Sequence, residues 1–151
     1  MDPEYLAVPR KWSADDIGRF MLFIGPISSV FDLLTFATLW FIYGATSPAR
    51  QALFQSGWFV VGLLTQKLIV HMIRTRRVPF LESRAATPVL LTTGLVMLAG
   101  ALLPYSPLAG LLSVTPLRVS FFGFVLLLLA GYAGLTQLMK GWYYRRFGVW
   151  L

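Results

Sequence analysis

The stretch VSFFGFVLLLLAGYAGLTQLM, residues 119–139, carries no charged side chain. As an α-helix it would extend about 30 Å, the depth of the hydrocarbon core of a bilayer. Its apolar residues run continuously. A membrane β-strand would instead alternate over about ten residues, so the run argues against a barrel. Three more segments read the same way: about Phe20–Tyr43, Leu53–Ile73 and Pro88–Leu103. Turn-rich connections separate them, GATSPARQ (44–51), RTRRVPFLESR (74–84) and PYSPLAGLLSVTPLR (104–118). The expected fold is an all-α membrane protein, four transmembrane helices in an antiparallel bundle. Residues 1–19 would form an N-terminal segment, 20–140 the bundle, and 141–151 a C-terminal tail.

Composition supports this reading. Of the 151 residues 57% are hydrophobic and 13% charged, with a mean hydropathy of +0.70. Soluble domains are about half apolar and a quarter charged. A water-soluble fold of this size could not hide so much apolar surface. The chain has no cysteine, so disulfides and thiolate metal sites are excluded. Its net charge of +7 would suggest nucleic acid in a soluble protein. Here the basic residues flank the apolar runs, as topology determinants do, and no nucleic-acid partner is expected. The first twenty residues are polar and mixed in charge, with no signal-peptide pattern. The first span is therefore expected to serve as the insertion signal.

The flanking charges orient the bundle. Arg10, Lys11 and Arg19 precede the first span. Arg74, Arg76, Arg77 and Arg84 follow the second, and Lys140, Arg145 and Arg146 follow the fourth. The other two connections hold Arg50 and Arg118. The positive-inside rule then places both termini and the middle loop in the cytoplasm. Trp40, Tyr43, Trp58, Trp142, Tyr143 and Tyr144 lie near span ends, where they suit interfacial belts or ordinary packing. Ser13, followed by Asp15 and Asp16, suits a helix start. That helix would lie along the interface or run directly into the first span. The RTRR run, residues 74–77, sets topology and can also meet anionic headgroups at about 1 kcal/mol per charge.

Asp32 is the sharpest polar feature, because an ionisable residue inside a span is costly and usually functional. Ser28 and Ser29 precede it by one turn, and Thr35 follows. Two readings stand side by side. This face lines a cation pathway, with Asp32 as a speculative metal ligand. Alternatively, Ser28, Ser29, Asp32, Gln66 and Lys67 make hydrogen bonds between helices, as polar residues in membrane bundles often do. From the cytoplasmic ends of their spans, Lys67 lies about 10 Å deep and Asp32 about 18 Å. An Asp32–Lys67 ion pair competes with snorkelling of Lys67 to the interface. His71 lies nearer still to that interface. Gly94, Gly100, Gly123, Ala130, Gly131 and Gly134 suit close helix contact. No phosphate-binding loop, dinucleotide fingerprint, zinc cluster or serine–histidine–acid set is present in the sequence. No catalytic residue and no cofactor-binding residue is assigned.

Four collinear segments carry a resemblance: GRFMLFIGPISSVFDLLTF (18–36), LFQSGWFVVGLLTQKLIVHMIRTRRVPF (53–80), LLPYSPLA (102–109) and AGYAGLTQLMKGWYYRRFG (130–148). Together they resemble the C-terminal end of magnesium-transporting P-type ATPases, from about Trp12 onward. The resemblance implies the last four of ten transmembrane helices, a support bundle. In that family the phosphorylated aspartate sits in a DKTGT motif, which this sequence lacks. The helices bearing most transport ligands lie upstream of this region. Related pumps can place an acidic ligand in the second of these helices. Here its middle reads GWFVVGLL (57–64), without an acid, and Lys67 stands where a small polar residue is expected.

The resemblance therefore implies a bundle that is not catalytic alone. It would be a fragment, split subunit or truncated product, with ATP and Mg2+ belonging to the complete pump. Its expected partners are the bilayer and the remaining pump helices, and its expected location the bacterial inner membrane. The alternatives are an independent small protein that binds or regulates a pump, and a homo-oligomeric channel or carrier lined by Asp32.

Overall fold

The computed structural model describes residues 14–74, 78, 79, 82 and 85–148. The expected cap at Ser13 and residues 75–77 of the basic run lie outside them. Helix α1 covers Ala14–Ala37 and closes in a π-helical turn, Thr38–Ile42. A 3-10 turn, Pro48–Arg50, leads into α2, Gln51–Ile73. Helix α3 covers Thr87–Leu102 and α4 Val119–Phe147. Four stretches are long and apolar enough to cross a membrane: Met21–Ile42, Pro48–Ile73, Thr87–Tyr105 and Val119–Phe147.

The helix ends follow from local chemistry. Proline fits the first turn of a helix, where its missing N–H leaves no bond unmade. Pro48 and Pro88 occupy such positions. Pro26 lies inside α1, a loss of one backbone donor that membrane helices tolerate. From Ala14, the first of the described residues, the helix continues into the first span without a break. Helix α4 runs about two turns past Met139, the expected end of its apolar run. Gly148 stops it in a left-handed conformation, φ 69°, its N–H donating to the Tyr144 carbonyl at 2.9 Å.

Each packed helix buries one stripe. On α4 it is Phe121, Val125, Leu128, Tyr132, Thr136, Lys140 and Tyr143, the three-and-four spacing of one helical face. Ile24, Ile27, Phe31, Thr35 and Thr38 form the matching stripe of the first span. Val60, Val61 and Leu64 complete the core from α2. Gly57 admits Leu39: a Cβ on Gly57 would stand 2.5 Å from one Leu39 methyl and 3.1 Å from the Phe121 ring. Helix α3 is peripheral. Gly100 is its buried residue, set against Leu63 of α2.

The connections are tied down by hydrogen bonds. Arg50 donates to the Gly44 carbonyl at 3.1 Å. The Tyr105 hydroxyl donates to the Leu117 carbonyl at 2.6 Å. The buried Ser56 hydroxyl accepts the Thr115 N–H at 2.6 Å and donates to the Ala52 carbonyl at 2.7 Å. That hydroxyl satisfies a loop donor which lipid could not satisfy.

Candidate functional site

Aromatic residues fasten α1 to α4 at both ends. Near the start of α1, Phe23 meets Trp142, Tyr143 and Phe147 with ring centroids 5.3, 5.7 and 5.7 Å away. Arg19 lies over the Phe147 ring at 5.9 Å. Beyond the far end of the span, Tyr43 sits edge-on to Phe121 at 5.3 Å, its hydroxyl 3.2 Å from the Ser120 hydroxyl. The start of each helix thus meets the end of the other.

Between these ends lies a polar seam. Ser28 of α1 and Tyr132 of α4 share a hydrogen bond of 2.8 Å. Tyr132 is 1% exposed and edge-on to Phe31 at 5.3 Å. Thr35 donates to the Phe31 carbonyl of its own helix at 2.8 Å. One turn beyond Tyr132, the Thr136 hydroxyl is buried without a hydrogen-bond partner among the described residues. Asp32 itself is exposed on the outer flank of α1.

A second polar anchor lies at the end of α2. Lys140 of α4 is 2% exposed. Its ammonium donates to the Met72 carbonyl at 2.8 Å and to Gln137 Oε1 at 3.1 Å. The Met72 carbonyl is among the last four of α2, which have no partner within the helix. A cation at this end also meets the negative pole of the helix dipole. His71 is buried beside Met72, 3% exposed. Changing Lys140 to methionine keeps most of the volume and removes the ammonium's bond to the Met72 carbonyl. Hydrogen bonds from charged groups contribute about 1.5–3 kcal/mol. A loss of that size is expected, read as a lower midpoint of thermal unfolding in detergent. An unchanged midpoint would show that the bond contributes nothing.

Of the five polar residues proposed to link helices, the structure places Ser28 in such a bond. Ser29, Asp32 and Gln66 are exposed, and Lys67 is half-buried. No hydrogen bond or ion pair joins Asp32 to Lys67 among the described residues. Tyr132 and Lys140 were not singled out as linking residues: one reads as an ordinary aromatic, the other as a flanking charge. The spacing of Tyr132, Thr136 and Lys140, four residues each, was the available signal.

The sequence model of the family described as "Cation transporting ATPase, C-terminus" matches residues 7–142. This chain belongs to that family. Over 148 residues it is 55% identical to the magnesium-transporting ATPase, P-type 1, of Salmonella typhimurium strain LT2. The protein of that name from Escherichia coli K12 is also 55% identical over 148 residues. Another such protein of Salmonella typhimurium is 53% identical over 150 residues. The matches cover 98–99% of this chain and 16% of each relative. The chain therefore spans about a sixth of the length of the curated relatives it matches. It is homologous to the C-terminal transmembrane part of magnesium-transporting P-type ATPases, and is an integral membrane protein.

In this member of the cation-ATPase C-terminal family, the seam joins α1 to α4 through the Ser28–Tyr132 hydrogen bond and the Phe31–Tyr132 ring contact. Among the described residues, no three of His, Asp and Glu come together where a metal ion could be held. What the described residues can do is hold α1, α2 and α4 in fixed register and present the outer flank of α1.

Proposed function

We propose that this chain is the transmembrane support bundle of a magnesium-transporting P-type ATPase. It stands antiparallel in a bacterial inner membrane with both ends cytoplasmic, and it is not catalytic by itself. The observation that carries the reading is 55% identity across 98% of the chain to pumps of that name. The packing agrees with a static role. Three helices close around a buried stripe, and Ser28, Thr35 and Lys140 bond to neighbouring helices or to their own backbone. ATP and Mg2+ belong to the remainder of the pump, along with the aspartyl-phosphate chemistry of its DKTGT motif.

The test is recovery from the native membrane. The chain is tagged at its C-terminus in its own host and purified in mild detergent. A P-type ATPase polypeptide bearing DKTGT is expected with the tag, either as a separate chain or as one longer chain that carries it. A monodisperse bundle with no such polypeptide would overturn the reading and favour an independent membrane protein.

A further inference from the structure

Asp32 is not used in packing the described helices. It stands 11 residues from Met21 and 10 from Ile42, the two ends of its span, so each end is about 15 Å away. That is the middle of the membrane, where a charged side chain almost always faces protein or water and finds a partner. Among the described residues the neighbouring polar groups do not bond to Asp32. Ser28 bonds to Tyr132, Thr35 bonds to its own backbone, and Lys67 does not pair with Asp32. Gly25 and Ser29 share the face of Asp32 and are exposed with it. A Cβ on Gly25 would meet nothing within 4 Å, so another backbone can approach this flank closely.

We propose that the Gly25–Ser29–Asp32 face of α1 docks against a membrane helix from the remainder of the pump. That helix carries a lysine or arginine that pairs with Asp32. The inference rests on the pump reading above and names the contact through which the bundle joins the rest. The relatives leave room for such a helix, since 84% of each (100 − 16) lies outside the match. A lysine or arginine is assigned because it both bonds to the carboxylate and neutralises it, whereas a hydroxyl or amide would only bond to it. A second copy of this chain is disfavoured. A two-fold contact through this face would set one Asp32 against the other.

The experiment places a photo-crosslinking amino acid at Ser29, with Leu95 on peripheral α3 as the control, in the tagged protein in its host membrane. Adducts are mapped by mass spectrometry. The Ser29 adduct is expected on a membrane segment of the ATPase polypeptide that contains a lysine or arginine, and the Leu95 adduct on lipid. Asp32→Asn should lower the yield of the Ser29 adduct about tenfold. Asp32→Lys combined with an acid at the partner's basic position should restore it to within about twofold. Detergent unfolding of each variant separates loss of docking from loss of the bundle: the Asp32→Asn midpoint should stay at the parent value while the adduct falls.

Ser29 adducts with lipid or with a second copy of this chain, while the ATPase polypeptide is still recovered, would overturn the docking and leave the pump reading intact. An Asp32→Asn yield equal to that of the parent, or a restored yield only in variants whose unfolding midpoint recovers in parallel, would overturn the charge pair. Absence of any ATPase polypeptide with the parent chain would instead overturn the pump reading.

Discussion

Gly57→Val is expected to lower the stability of the bundle more than any other single small substitution along α2. Even one carbon at this position would stand 2.5 Å from a Leu39 methyl and 3.1 Å from Phe121. Neither neighbour can yield easily, since Leu39 is 0% and Phe121 1% exposed. The three residues belong to α2, the π-helical turn after α1, and α4, so an added side chain pushes three elements apart together. Overpacking a close-packed interior costs about 1–3 kcal/mol, and valine, branched at the crowded atom, belongs at the upper end. Gly57→Ala should fall between valine and the parent. The check is the midpoint of denaturant or thermal unfolding in detergent. A valine variant with the parent's midpoint would show that this contact is looser than the structure has it.

Tyr132→Ala should be comparable, for the opposite reason. Tyr132 is among the largest fully buried side chains, and it touches α1 through both the Phe31 ring and the Ser28 hydroxyl. Truncating a buried aromatic leaves a cavity and costs about 3–5 kcal/mol. Lipid tails are as apolar as the core, so the loss here is mainly one of contact rather than of burial from water. Tyr132→Phe removes the hydrogen bond alone, and such bonds between membrane helices average about 0.6 kcal/mol. The alanine variant should therefore unfold far earlier than the phenylalanine variant. Equal losses in the two would mean that the hydroxyl, not the ring, holds α1 to α4.

Much of the fold was legible in the sequence, and the reason is the solvent. In hydrocarbon every backbone donor and acceptor must be satisfied within the segment, so a long uncharged run such as 119–139 has few alternatives to a helix. Span positions followed to within a few residues at most ends. The extension of α4 to Phe147 was not legible, because it depends on Phe23 and Arg19 of a distant segment packing against Trp142, Tyr143 and Phe147. Polar positions were read less well than spans. Asp32 stands out in the sequence, and the structure turns it outward. Lys140 looks like a boundary charge, and the structure buries it against the end of α2.

The run of four leucines at 126–129 shows where the division falls. By itself the sequence determined that these residues lie in a membrane-spanning helix, because length and continuous hydropathy decide that. It did not determine which of them faces the core. Leu126 and Leu127 are 69% and 74% exposed, and Leu128 is 4% exposed. In water the exposed positions would be polar and the stripe would show itself. Beside lipid, inward and outward positions are both apolar, and only the fit of α1, α2 and α4 around Leu39, Gly57 and Phe121 decides between them.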